Sequence, residues 1–310
     1  MAFMTRRDAL RLLGVAGMRM TIIGAAGTTE GASPGSAILT RPIPATGELL
    51  PVVGLGTWQT FDVGPAPAER GSLEEVLAAF VELGGRVVDS SPMYGESEQV
   101  VGDIAAKLGV HQKLFVATKV WTTGRAAGIS QMERSLQLLR GKRLDLLQVH
   151  NLVDWQTHLA TLRDWKDAGR IRYLGITHYS ASGHDALEAV MRAERLDFVQ
   201  LNYSLAEPEA ERRLLPLARE RGIAVLVNRP LAQGAVLSRV RGRRLPPWAA
   251  DVDCASWTQL ALKWILAHSA VTCVIPATRR LPHLEDNMRA GAGHLPDATT
   301  RERIAALFSA

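Results

Sequence analysis

At 310 residues the chain exceeds one ordinary small domain and fits a single α/β barrel with terminal extensions. Hydrophobic residues make up 47% and charged residues 22%, a composition that supports a large core and excludes a disordered chain. The net charge of +5 is mild, and without basic–aromatic interleaving it gives no footprint for nucleic acid.

Part of that charge sits at the N-terminus, where Arg6, Arg7, Arg11 and Arg19 face only Asp8 and Glu30 within residues 1–36. The paired arginines of Thr5-Arg6-Arg7-Asp8-Ala9-Leu10 precede a moderately apolar stretch that runs to Gly27. The segment resembles a twin-arginine export signal, with Arg19 interrupting the apolar stretch and Ala25-Ala26-Gly27 as a small-residue cleavage site. Residues 31–36 read as a linker. The expectation is an export signal and linker over 1–36, a barrel domain over 37–310, the Tat translocase as a partner during export, and a periplasmic mature protein. A cytoplasmic protein with a basic tail is the alternative. The apolar stretch is too short and interrupted for a stable membrane span.

From residue 38 the pattern becomes regular. Segments 38–43 and 48–53, joined by Pro44 to Gly47, predict a hairpin that plugs one end of a barrel. A short strand follows at 54–57. Ser72 then caps a helix over 73–83, which Gly84 and Gly85 stop. Strands are predicted at 86–89, 114–119, 144–149, 171–177, 198–201, 223–227 and 272–275. Helices are predicted at 97–108, 130–139, 156–168, 182–193, 208–221, 254–268, 282–290 and 299–308. Segment 230–250 is longer and holds Arg239, Arg241, Arg243 and Arg244, which either cover a pyrophosphate or are simply solvated. Eight near-continuous apolar strands alternating with helices predict a (β/α)8 TIM barrel, with an N-terminal hairpin and extra C-terminal helices. An open doubly wound sheet would want a third glycine after Gly54-Leu55-Gly56. The two cysteines, Cys254 and Cys273, lack metal spacing and read as unpaired thiols.

Three titratable groups recur at strand exits. Asp89 to Lys119 spans 30 residues and Lys119 to His150 spans 31, the length of one strand–helix–strand unit. In a parallel barrel these exits share one rim, where barrel enzymes hold their chemistry. Tyr94 lies five residues past Asp89. A lysine ammonium beside a phenol lowers its pKa, an aspartate holds the lysine, and a histidine hydrogen-bonds a substrate oxygen. Asp89, Tyr94, Lys119 and His150 together describe a site that protonates an oxygen as a carbonyl becomes an alcohol.

Residues 42–290 resemble the aldo-keto reductases. The matching pieces, in order, are Gly54 to Trp58, Val88 to Glu98, Thr118-Lys119, Leu146 to His150, Gly175 to His178, Val199 to Ser204, Val274 to Pro276 and Glu285 to Asn287. The resemblance implies NADPH bound in extended form, with NADH as the alternative, and hydride transfer to a small-molecule carbonyl. It implies Tyr94 as general acid, Lys119 and Asp89 as its tuning pair, and His150 as the orienting group. It further implies a cofactor site drawn from Thr57, Trp58, Thr177, His178, Gln200, Asn228, Arg229, Leu231, Thr278, Arg279, His283, Asp286 and Asn287. Gln200 takes the nicotinamide amide, and Asn287 contacts the adenine. Arg279 and Arg280 stand in for the family's 2′-phosphate residues, because Ala277, Thr278 and His283 occupy those positions. Asn228-Arg229 stands where the family stacks a tyrosine. The substrate pocket is walled by Trp58, Met93, Trp121 and Asn151. A nucleotide-binding regulatory protein with little turnover is the rival on the same fold.

Overall fold

The computed structural model describes residues 37–308. The export signal and its linker, expected over 1–36, lie outside the described residues.

Strands β1 (Thr40–Pro42) and β2 (Leu49–Pro51) pair antiparallel. Their turn ends at Gly47, whose φ of 77° is the left-handed conformation that glycine adopts without steric cost. Ile43 and Leu50 enter a cluster with Val87, Phe115, Leu146 and Phe198 from inside the barrel. Arg86 donates to Leu49 O, and Arg172 pairs with Glu48. Both arginines lie at the entry ends of their strands, so the hairpin plugs the N-terminal mouth.

The eight parallel strands run in consecutive order. They are β3 (Leu55–Gly56), β4 (Val87–Asp89), β5 (Phe115–Val120), β6 (Leu144–His150), β7 (Ile171–Thr177), β8 (Phe198–Asn202), β9 (Ala224–Asn228) and β10 (Cys273–Val274). Parallel bridges from Val53 to Val274 and from Gly56 to Ala277 return the last strand to the first and close the sheet. The seam needs Gly56, since a Cβ there would lie 2.8 Å from Ile275 O.

Helices α1 (Pro67–Glu82), α2 (Ser97–Leu108), α3 (Arg125–Leu138), α4 (Trp155–Asp167), α5 (His184–Ala193) and α6 (Leu214–Arg221) follow β3 to β8 in turn. α7 (Ala235–Ser238) and α8 (Trp257–Leu266) lie between β9 and β10, and α9 (Leu281–Arg289) and α10 (Ala298–Phe308) complete the chain. Apolar burial on both faces of the sheet provides the driving force for this layering. No helix among the described residues is long and apolar enough to cross a membrane.

Several boundaries differ from expectation for local reasons. Ser72 is not the cap of α1. The helix begins at Pro67, whose missing N–H suits a first turn, and the Ser72 hydroxyl donates to Glu69 O. α3 begins at Arg125, straight after Gly124. The single helix expected over 208–221 breaks at Arg213, because Pro216 lacks an N–H and crowds the carbonyl four residues back. α8 starts only after Ser256, whose hydroxyl accepts from Gln259 N. Segment 230–250 holds a 3₁₀ turn at 232–234, α7 and the start of a second 3₁₀ turn. Its Arg239 and Arg243 donate to Phe308 O and Leu307 O, at the negative end of α10. Arg239 and Arg243 are exposed, each with one guanidinium nitrogen held at this helix end. Cys254 and Cys273 are free and buried.

Candidate active site

At the exit rim the pleat brings inward-facing polar residues of successive strands into one cluster. Lys119 is fully buried, and its Nζ lies 2.6 Å from Asp89 Oδ2 and 2.7 Å from Ser90 O. The other carboxylate oxygen, Oδ1, accepts from Gln200 Nε2 at 2.8 Å and from Gln148 Nε2 at 3.4 Å. The lysine Nζ sits 5.1 Å from the centre of the Tyr94 ring, close enough for its charge to act on the phenol. Burial opposes the Lys119 charge, but Asp89 and the phenol outweigh it and hold the ammonium above its ordinary value.

The Tyr94 phenol departs from the simple expectation. Burial raises its pKa, and Asp89 adds to this; the lowering by Lys119 is outweighed. The phenol therefore keeps its proton at neutral pH.

His150 meets Tyr94 edge-on, with ring centroids 5.8 Å apart, and its Nδ1 lies 3.0 Å from Ser91 Oγ. Ser91 Oγ also accepts from Met93 N and still has its own proton to give; donated to Nδ1, it leaves the ring proton on Nε2. Burial, then the Lys119 and His178 charges, depress the His150 pKa from 6.5 to about 2, so the ring is neutral. Folded His150 binds a proton less readily than the unfolded chain, so its contribution is present above pH 6.5 and lost as pH falls below it. The expected slope is about 1.4 kcal/mol per pH unit below that point. Urea unfolding at pH 7 and pH 5 should show a larger drop in the parent than in His150→Gln; equal drops would contradict the assignment.

The residues expected to contact a cofactor fall into two groups. On the rim, Thr177 Oγ1 and Asn228 Nδ2 each donate to Gln200 Oε1 at 3.3 Å, while Asn228 Oδ1 is buried without a partner. The His178 Nδ1 is engaged with the Ser180 backbone, and its ring stacks on Tyr179 with an interplanar angle of 6°. Arg229 has a left-handed φ of 48°, donates to Tyr179 O, and leaves its Nε buried without a partner. Leu231 packs half-buried on the core. The Thr57 hydroxyl is occupied internally, its oxygen lying 3.0 Å from both Asp89 O and Ser90 Oγ. Trp58, Met93 and Trp121 stand exposed, and Asn151 follows His150 with a φ of 51° and a buried, unpartnered Oδ1.

The second group surrounds α9. Thr278 Oγ1 accepts from Arg280 N at the entry to the helix, Asn287 is buried, and Arg279 and His283 are exposed. The Asp286 carboxylate is engaged by Ser256 Oγ and Gln259 Nε2 of the α8 start.

Sequence reasoning missed Ser91, Gln148 and Tyr179. Gln148 carried a signal, since it lies two residues before His150 and so shares its face of β6. Tyr179 and Ser91 carried none beyond nearness to rim positions.

A profile of the Aldo/keto reductase family matches residues 52–302. Methylglyoxal reductase YeaE of Escherichia coli (strain K12) is 28% identical over 245 residues, 77% of this chain and 84% of that protein. The NADH-specific methylglyoxal reductase of the same strain is 27% identical over 320 residues, covering 83% and 94%. Among solved structures, an aldo/keto reductase from Klebsiella pneumoniae in complex with NADP and acetate is 25% identical with a TM-score of 0.72, covering 84% of this chain and 93% of that one.

Proposed function

The chain belongs to the aldo/keto reductase family, and from that premise we propose that it reduces an aldehyde or ketone to an alcohol with NADPH, Tyr94 giving the proton. The observation that carries the reading is the buried Lys119–Asp89 pair beside the Tyr94 ring, with the His150 ring edge-on to that phenol.

The residues present fit a nicotinamide nucleotide. Asn228 Oδ1 is an orphaned acceptor beside Gln200, suited to a carboxamide N–H. Arg279 and Arg280 have no ion-pair partner among the described residues and suit a 2′-phosphate. A relative's NADP complex supports NADPH, and an NADH-specific relative keeps NADH as the alternative. Bound NADPH supplies the hydride that reaches the carbonyl carbon. His150 Nε2 would donate a hydrogen bond to the carbonyl oxygen and fix its orientation. Tyr94 passes its proton to that oxygen as negative charge builds there. Lys119 stabilises the phenolate left behind, and Asp89, fixed by two glutamine amides, keeps the ammonium in place.

Loss of NADPH absorbance in the presence of aldehydes and quinones tests the reading. Tight NADPH binding with no loss across the panel would favour a regulatory nucleotide-binding protein. Arg279→Ala is expected to narrow the preference for NADPH over NADH, read by quenching of tryptophan fluorescence. Equal affinities of the parent for both nucleotides would remove the case for a 2′-phosphate site. The same reading takes residues 1–36 as an export segment, and finding full-length protein only in the native host's cytosol would refute it.

A further inference from the structure

Trp121, the first residue past β5, is 42% exposed, yet its backbone is unusually well held. Gln131 of α3 pairs with it as a neighbouring strand would. Gln131 Oε1 accepts from Trp121 N at 2.6 Å, and Gln131 Nε2 donates to Trp121 O at 3.2 Å. The following residues are anchored from the other side, by α4 and the loop before it. His158 Nε2 donates to Thr122 O at 2.7 Å, and Asp154 Oδ2 accepts from Gly124 N at 2.7 Å. Room for His158 exists because residue 128 is glycine; a Cβ there would lie 2.5 Å from His158 Cε1.

The loop that carries the Asp154 tie has a strained backbone. Asn151, Leu152 and Asp154 all adopt left-handed φ values of 51°, 58° and 48°, which non-glycine residues avoid. Strain of this kind persists where the surroundings over-determine a conformation, and it clusters at functional sites. What the ties fix is the backbone that carries an exposed indole, whose ring centre is 6.5 Å from that of His150. An exposed tryptophan needs no such fixation for stability, whereas a rigid aromatic wall beside the reacting group reduces the entropy lost when a substrate stacks on it.

The geometry points to Gln131 as a positioning residue that acts through Trp121 and fits the site to carbonyl compounds bearing a flat apolar group. The inference rests on the reading of the rim as a carbonyl site. With 2-naphthaldehyde, Gln131→Ala is expected to raise KM roughly tenfold at little changed kcat, since misplacing a positioning group costs rate or affinity without touching the chemistry. With propionaldehyde, too small to reach the wall, neither constant should move. Gln131→Glu keeps the acceptor for Trp121 N and should lose less. Adding Gln131→Ala to Trp121→Ala should cost nothing further, because the wall is already gone. An equal KM rise with both aldehydes, or additive losses in the double variant, would overturn the proposal.

A second measurement does not need turnover. In protein labelled with 5-fluorotryptophan, with Trp121→Phe assigning the resonance, Gln131→Ala should shift the Trp121 fluorine line and abolish its response to 2-naphthaldehyde. An unmoved, still responsive line would sink the clamp. If the parent reduces no member of the carbonyl panel, the carbonyl-reduction reading fails, and the fluorine line still decides the role of Gln131.

Discussion

Replacing Lys119 by methionine is expected to lower stability by about 3–5 kcal/mol, the usual cost of removing one partner from a buried ion pair. The lysine side chain is wholly buried and that of Asp89 is 4% exposed, so solvent cannot replace the lost ammonium. The Asp89 carboxylate would keep only the Gln200 and Gln148 amides, and Ser90 O would lose its donor. Urea unfolding checks the magnitude. Adding Asp89→Asn to Lys119→Met should restore part of the loss, because the unpaired charge is then gone. A single variant as stable as the parent would contradict the burial of the pair. The contribution is also pH-dependent. Folded Lys119 holds its proton more tightly than the ordinary value of 10.5, so the pair's contribution is fully present below that value. It is lost as pH rises further, through the folded pKa.

Tyr94→Phe is expected to reduce kcat by about 10²- to 10⁴-fold, the range that a positioned general acid contributes. The substitution is conservative in every other respect. Phenylalanine keeps the edge-on packing against His150 and the ring beside Lys119 Nζ, and removes only the O–H. Affinity for NADPH should therefore be unchanged, and the loss should fall on kcat and kcat/KM alike, as for an interaction made only in the transition state. In the proposed reaction the raised phenol pKa would keep the donor protonated beforehand, and the fixed ammonium would stabilise the phenolate that forms. A variant that turns over like the parent would show that another group gives the proton.

The barrel was legible because strand and helix periods differ and because βα units have a fixed length. The spacing of Asp89, Lys119 and His150 placed all three at strand exits, and β4, β5 and β6 lie side by side in the sheet. Local punctuation was less legible. Ser72 looked like a helix start, but Pro67 opened the helix earlier, and Pro216 split a segment whose apolar pattern was continuous. The direction of the Tyr94 shift was not legible, because a sequence shows the neighbouring lysine but not the burial that outweighs it. Nor were the side-chain pairings across the barrel. Ser91 and His150 are 59 residues apart, and nothing in either neighbourhood announces the contact. The pairing of Gln131 with the Trp121 backbone depends on how α3 leans on its loop, which periodicity leaves open.

The central claim is that hydride passes from the nicotinamide to a carbonyl carbon at this rim. NADPH carrying deuterium at both nicotinamide C4 positions, incubated with the purified full chain and an aldehyde, tests it most directly. The expected result is one alcohol formed per NADPH consumed, with one deuterium on the carbinol carbon. Alcohol formed without deuterium there, or NADPH consumed without alcohol, would contradict the account.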